Sequence, residues 1–332
     1  MADPTRILAT FRTDPGEREI LNDECFTEGF NVRYLEDASE DERAEWVRAA
    51  DVVLSFNFPK EIREDEVALL ENAQFLQLAS AGASHVPYDR LPESLVVASN
   101  VGAYAEPMAE HTLAMALSLA KRLHLNHEKL KRGEFNQREV NVSLRGGVCG
   151  ILGFGGIGQA TARLMRGLDM AIHALNRSGT TDEPVEFIGT LDDLERVLRA
   201  SDVVVIALPL TVDTDGLIGE RELGWMKENA ILVNVARGAI IDEHALYEHL
   251  RHHPEFMAGI DTWWAEPRSH GEFRTETPIL ELPNLLGSPH NSAFVPGFLQ
   301  DALRQAAENV QRFLDGEPIR GRVRREDYRF EK

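Results

Sequence analysis

GVCGILGFGGIGQATARL, residues 147–164, is the stretch on which the reading of the fold turns. An apolar run leads into Gly153, Gly155 and Gly158, spaced G-x-G-x-x-G, and the chain continues in a helical pattern of small and apolar residues. Strand, glycine turn and helix in that order is the frame of a dinucleotide-binding unit. The first glycine permits a tight turn, the second lets the backbone approach a pyrophosphate, and the third lets the helix pack close to the strand. The helix N-terminus then turns unpaired N–H groups and a positive dipole end toward the phosphates. Outside that frame the same three glycines would mark only a flexible turn.

Working outward, strand-like and helix-like segments alternate nearly throughout. Residues 6–11, 32–35, 51–56, 75–80 and 95–99 read as strands before the glycine motif. Residues 148–153, 170–175, 202–208, 231–235, 258–261 and 284–288 read so from it onward. Between strands lie charged segments of helical period. Residues 62–72 are expected to be one, with Ile62, Val67, Leu69 and Leu70 as its buried stripe. One long helix is expected from Ala105 to about Arg132, started by Glu106 and Pro107, and an amphipathic helix from about Phe294 to Leu314, ended by Gly316. Short apolar strands separated by helices imply parallel sheets covered on both faces. The expectation is an α/β protein with two parallel sheets, in two Rossmann-like domains.

The size agrees with two domains, at 332 residues and 37.2 kDa. With 43% hydrophobic residues the chain can build real cores. Its longest apolar stretches, such as residues 203–210, fall far short of the ~20 residues needed to span a bilayer. No basic start followed by an apolar run suggests a leader, and two cysteines, Cys25 and Cys149, fit a reducing compartment. A soluble cytoplasmic protein is expected.

Charge is the unusual feature. Asp and Glu number 55 against 35 Lys and Arg, a formal charge of −20. Lysine occurs only at positions 60, 121, 129, 131, 227 and 332. Such a field repels nucleic acid and anionic membranes, so neither is an expected partner. The same balance suits an ordinary acidic enzyme or a protein living in high salt.

Where a carboxylate about 20 positions beyond the glycines would hold the ribose 2′-hydroxyl of NAD, the chain has Asn176, Arg177 and Ser178. No charge there repels a 2′-phosphate. Arg177 can pair with one bidentately, and Asn176 and Ser178 can donate hydrogen bonds. The expected cofactor is therefore NADP(H), with NAD(H) still possible. Stacking on adenine, or plain exposure, is the alternative for Arg177.

Three more strand ends carry chemistry: ILVNVARGAIID (231–242) has Arg237, GIDTWWAEP (259–267) has Asp261 and Glu266, and GSPHNSA (287–293) has His290. Singly these are ordinary, but ligands of open parallel sheets bind outside the carboxyl ends of the strands. Hydride transfer to a ketoacid needs a cation for carboxylate and carbonyl, and a proton donor working near neutral pH. Arg237 supplies the first, and His290, oriented by Glu266, the second. No metal is expected.

With these stretches in place, the chain resembles the D-isomer-specific 2-hydroxyacid dehydrogenases. The resemblance runs through LQLASAGASHVP (76–87), NVGAYAEPMAEHTLAMAL (100–117), the glycine motif, LPLTVDT (208–214), VNVARGAIID (233–242), DTWWAEP (261–267) and SPHNSA (288–293), in the family's order. It implies a flavodoxin-like substrate domain from residues 1–100 and 292–332, flanking a dinucleotide domain of residues 101–291. It makes His290 the acid/base, Glu266 its partner and Arg237 the substrate clamp, with Ala81 and Gly82 giving backbone N–H groups to the substrate carboxylate. Gly156 and Ile157 join the cofactor loop, Pro209, Thr214 and Ala236 the cofactor groove, and Asp261 the nicotinamide carboxamide. A homodimer through the helix from Ala105 is also implied.

Some features depart from relatives or separate them. A Trp common after the long helix is absent, and Phe135 is the nearest aromatic. Glu266 differs from the Gln of formate-oxidising relatives, and the ASAGA loop lacks the Lys of phosphite-oxidising ones. Only sixteen residues follow Gly316, whereas phosphoglycerate dehydrogenases often add a regulatory domain. Trp263 and Trp264 could shape a pocket or pack at a hinge. The expected activity is NADPH-dependent reduction of a small 2-ketoacid to a D-2-hydroxyacid. The alternatives are an NAD-dependent dehydrogenase working oxidatively and a cofactor-sensing, corepressor-like binding protein.

Overall fold

The computed structural model describes residues 3–328. Among these residues twelve strands form: β1 Thr5–Ala9, β2 Phe30–Tyr34, β3 Val52–Ser55, β4 Phe75–Leu78, β5 Val96–Ala98, β6 Val148–Leu152, β7 Ala171–Leu175, β8 Phe187–Gly189, β9 Val203–Ile206, β10 Ile231–Asn234, β11 Met257–Ile260 and β12 Leu285–Gly287. They make two sheets, one of order β2-β1-β3-β4-β5 and one of order β12-β11-β10-β9-β6-β7-β8. Among the described residues every pairing between these strands is parallel. Strands β3, β4, β9, β10 and β11 are buried along their whole length, which is why they read as largely apolar runs.

The chain divides into two compact units. One is made from the chain up to Tyr104 together with the chain from Val295, and the other is Ala105–Phe294. In the first unit the helix Phe298–Leu314 lays Leu303, Ala306, Ala307 and Val310 against Ile7, Leu54 and Phe75 of the sheet. Asn309 on the same helix donates to the buried Gln77 Oε1 at 2.6 Å, so this return segment is keyed to β4 by polar contact as well as packing. The second unit has its own core, in which Leu152, Val204, Leu232 and Ile260 of four adjacent strands meet Leu198, Leu246 and Trp263.

Three expectations about helices are corrected. Residues 62–72 are not a regular helix: a short helix ends at Glu61, and the chain re-forms only as 3₁₀ turns over Val67–Asn72, with Leu70 at ψ 17°. The cause is the Glu66 carboxylate. It takes the Arg63 N–H at 2.8 Å and the Arg43 guanidinium at 2.5 Å, which sets a turn where the helix would run. Ile62, Val67 and Leu70 are buried regardless.

The long helix is two, Ala105–Ala120 and Leu123–Lys131, broken at Arg122 with φ 49°. There the returning chain competes for the helix's last groups: Val142 N–H donates to Ala120 O at 2.9 Å, and Lys121 Nζ donates to Val142 O at 2.7 Å. Arg122 turns aside to Glu255 at 2.8 Å. The C-terminal helix starts at Phe298 rather than 294, because Gly297 stands before it at φ 80°. The short edge strand β8 carries too few residues for a visible period.

Candidate active site

In the second unit β6 runs into the glycine loop and then the helix Gly156–Arg166. Gly153 sits at φ 101°, and a side chain there would meet the Ala207 carbonyl group, just past β9, at 2.5 Å. A side chain on Gly158 would overlap the Gly153 carbonyl, so the helix comes this close only because that residue is glycine. Gly155 is different: it is exposed, with nothing within 4 Å of where its Cβ would be. Gly156 and Ile157 open the helix, half-buried, and Gly158 is buried. Two glycines close the loop and one leaves it open in front of a helix N-terminus. That is the cradle a pyrophosphate needs, so these residues fit a dinucleotide.

Beyond β7, Asn176 is occupied with its own turn. Its Oδ1 accepts from Gly179 N–H at 2.7 Å and from Ser178 Oγ at 3.2 Å, while its Nδ2 donates to Thr180 O at 2.7 Å. The turn leaves Arg177 and Ser178 exposed. Beyond β9, Pro209 is exposed, whereas Thr214 is buried and its hydroxyl donates to Pro209 O at 2.7 Å. Thr214 therefore shapes this loop from within.

Arg237 follows β10. The loop is set by Asn234, fully buried, which accepts from Ala236 N–H at 3.0 Å and donates to Arg237 O at 2.9 Å. Ala236 is buried and the Arg237 side chain half-buried, Nη1 donating to Ala236 O at 2.6 Å. Beyond β12, His290 Nδ1 lies 2.7 Å from Glu266 Oε2, with 38% of the His290 side chain exposed and 16% of the Glu266 side chain. Burial pushes the Glu266 carboxyl up, but the hydrogen bonds from His290 and the Trp263 N–H, with the nearby His290 and Arg237 charges, outweigh it and leave Glu266 below its ordinary range. Glu266 thus stays ionised at neutral pH, with His290 Nδ1 bound to it. His290 and Arg237, separate in sequence, both act on Glu266 here.

Asp261 is fully buried. Its Oδ1 accepts from Ser288 Oγ at 2.5 Å and Asn291 N–H at 3.2 Å, and its Oδ2 from Ser292 N–H at 3.3 Å. Within this unit it is an anchor for the segment that carries His290. Trp263, also buried, donates Nε1–H to Ser288 O at 2.8 Å and its main-chain N–H to Glu266 Oε1 at 2.8 Å. Trp264 Nε1 donates to Ile241 O at 2.6 Å. The paired tryptophans therefore brace the strand-end loops of this unit, a role that their position between Asp261 and Glu266 only hinted at. Ala81 and Gly82 lie in the first unit, half-buried in the loop after β4.

Residues 113–292 match the family model for the D-isomer specific 2-hydroxyacid dehydrogenase, NAD binding domain. Among curated relatives, a D-3-phosphoglycerate dehydrogenase of Methanocaldococcus jannaschii is 28% identical over 92% of this chain and 57% of its own length. A glyoxylate reductase of Thermococcus litoralis is 30% identical over 82% of this chain and 83% of its own. The chain spans about half the length of the phosphoglycerate dehydrogenases it matches. A solved D-isomer specific 2-hydroxyacid dehydrogenase family protein of Aeromonas salmonicida superposes with TM-score 0.78 at 26% identity, covering 98% of this chain and 100% of that one.

Proposed function

Because the chain belongs to the D-isomer-specific 2-hydroxyacid dehydrogenases, we propose that it reduces a small 2-ketoacid to the D-2-hydroxyacid, with NADPH as its preferred reductant. The observation that carries this reading is the 2.7 Å contact between an ionised Glu266 and His290 at the strand ends of the unit that holds the glycine cradle. In this reading residues 105–294 form the dinucleotide domain and the other unit the substrate domain.

The reduced nicotinamide, when bound, supplies the hydride. Gly153, Gly155, Gly156, Ile157 and Gly158 hold the pyrophosphate. Arg177 pairs with the 2′-phosphate beside Ser178, and Asn176 shapes their turn. Pro209 and Ala236 line the groove, and Asp261 stands at its nicotinamide end. Arg237 takes the substrate carboxylate and polarises the carbonyl, with Ala81 and Gly82 as further donors to the carboxylate. As the carbonyl carbon gains hydride, negative charge grows on its oxygen, and there Arg237 contributes most. His290 gives its Nε2 proton to that oxygen. Glu266 holds the Nδ1 proton in place, so the neutral ring left behind has one defined tautomer and is reprotonated from water.

Exposed Leu123, Leu130, Phe135 and Val140, clustered along one stretch of chain, support a homodimer through this region. Light scattering giving a monomer would remove that part of the reading. The function is tested by saturating the protein with NADPH and with NADH beside glyoxylate, hydroxypyruvate and larger 2-ketoacids. Turnover with a lower KM for NADPH is expected. Absence of turnover with any ketoacid, or oxidation of 2-hydroxyacids with NAD alone, would overturn it.

A further inference from the structure

His111, on the helix Ala105–Ala120, belongs to none of the groups considered so far. Its Nε2 lies 3.0 Å from Ser288 Oγ and 3.7 Å from the buried Asp261 Oδ1, and 25% of its side chain is exposed. Ser288 Oγ lies 2.5 Å from Asp261 Oδ1. A hydroxyl has one proton to donate, and an ionised carboxylate can only accept. The Ser288 proton therefore goes to Asp261, and the contact with His111 must be a donation from the imidazole. This counting puts a proton on His111 Nε2 and orders a chain: His111 Nε2–H to Ser288 Oγ, then Ser288 Oγ–H to Asp261 Oδ1.

The chain ends on the segment that carries His290. Asp261 also takes the N–H groups of Asn291 and Ser292, and Trp263 Nε1–H holds the Ser288 carbonyl. Between these ties stands His290 at φ 51°, a left-handed conformation that residues other than glycine keep only where their surroundings over-determine it. The surroundings here are Ser288 on one side, Asn291 and Ser292 on the other, and one buried carboxylate joining them. That carboxylate takes its hydrogen bonds from a hydroxyl and two backbone N–H groups, and His111 polarises the shortest of them.

We propose that His111 is a positioning residue for His290. Through Ser288 it steadies Asp261, and Asp261 steadies the strained segment that presents the imidazole to the substrate. The proposal rests on the reading of His290 as the acid/base. It needs no contact between His111 and substrate or cofactor, so its loss should act on turnover more than on binding.

Two substitutions separate hydrogen bonding from packing. His111→Phe keeps a ring but no donor, whereas His111→Gln places an amide N–H near the position of Nε2. We expect His111→Phe to lower kcat by about 10- to 100-fold, the scale of a small misplacement of a reacting group. Its NADPH Kd should stay within about twofold of wild type, and His111→Gln should recover most of the lost kcat. Equal losses in both variants, or a loss in Kd with kcat kept, would overturn the proposal. A second measurement needs no turnover. Nitrogen-15 NMR of histidine-labelled wild type should find His111 Nε2 protonated and hydrogen-bonded, and Ser288→Ala should release it. A wild-type Nδ1–H tautomer would overturn the chain of donors. Failure of the wild type to reduce any 2-ketoacid strikes at the proposed function instead, with the tautomer still deciding the hydrogen-bond chain.

Discussion

In the five-stranded sheet the strand order reverses between β1 and β3, and the chain fills that point with a carboxylate. Glu61 accepts from Thr10 Oγ1 and Ser55 Oγ, each at 2.7 Å, and from the N–H groups of Phe56 at 3.0 Å and Asn57 at 2.6 Å. In the seven-stranded sheet the reversal falls between β6 and β9. There the strand ends are bordered by Gly153, packed against Ala207, and by Gly155, with open space where a side chain would be. One topology thus gives two outcomes. Where a side-chain anion satisfies the strand-end donors, the crevice is a structural joint. Where glycine leaves donors facing open space, an external anion can take the same place. A parallel sheet sets the position of a site, and the residues at the reversal decide whether there is one.

The contrast can be broken most forcefully on the open side. Removing the acid in His290→Ala should cost about 10²- to 10⁴-fold in turnover while NADPH Kd stays unchanged. Steady-state kinetics beside fluorescence titration checks this, and near-normal turnover would deny His290 its role. On the closed side, Glu61→Ala leaves the buried Ser55 hydroxyl and two backbone donors without their acceptor, so stability should fall by about 1–3 kcal/mol. Urea unfolding measures the loss. A change in NADPH affinity with stability intact would mean that the crevice at Glu61 is no mere joint.

The open side can then be sharpened. Arg177→Asp puts a carboxylate where the 2′-phosphate is proposed to bind, and should reverse the preference between NADPH and NADH. Unchanged selectivity would refute the assignment.

Glu266→Gln should act through pH. The carboxylate is held below its ordinary range, so its stabilising charge is complete above about pH 4.5 and is lost as pH falls toward its folded value. The variant should flatten the acid limb of thermal stability. It should also move the alkaline limb of ketoacid reduction to lower pH, since the imidazolium loses its facing charge. Melting curves and pH–rate profiles that both match wild type would dissolve the pairing. The smallest effect expected is that of salt. With a net charge of −20, both anionic ligands approach against the overall field, whose reach shortens from about 8 Å at physiological strength to about 3 Å at 1 M. NADPH affinity and folding should survive molar salt, and a steep loss of both would count against a high-salt setting.

Much of this site was legible along the chain because its parts are local. The glycine loop works through residues 153 to 158 alone, and Arg237, Glu266 and His290 each stand just past an apolar run that a parallel sheet buries. Local pattern failed where distant groups compete for the same backbone. The helix expected over residues 62–72 gives way to Arg43 and Glu66, and the long helix breaks where Val142 returns to Ala120. His111 lay in plain view within the stretch 100–117, yet nothing adjacent in sequence tells a helix histidine apart from a hydrogen-bond donor to a strand end.

By itself the sequence determined two parallel sheets, the place of the dinucleotide cradle and the three side chains of the proposed chemistry. Glycine spacing and apolar runs act over a few residues and survive any arrangement of the rest. Only the tertiary structure decided that Glu61 seals one reversal point, that Trp263 braces Glu266 and Ser288, and that His111 reaches Asp261 through Ser288. Glu61 to Thr10, Trp263 to Ser288 and His111 to Ser288 join residues far apart in sequence, and a buried carboxylate takes its partners from whatever the fold brings within reach.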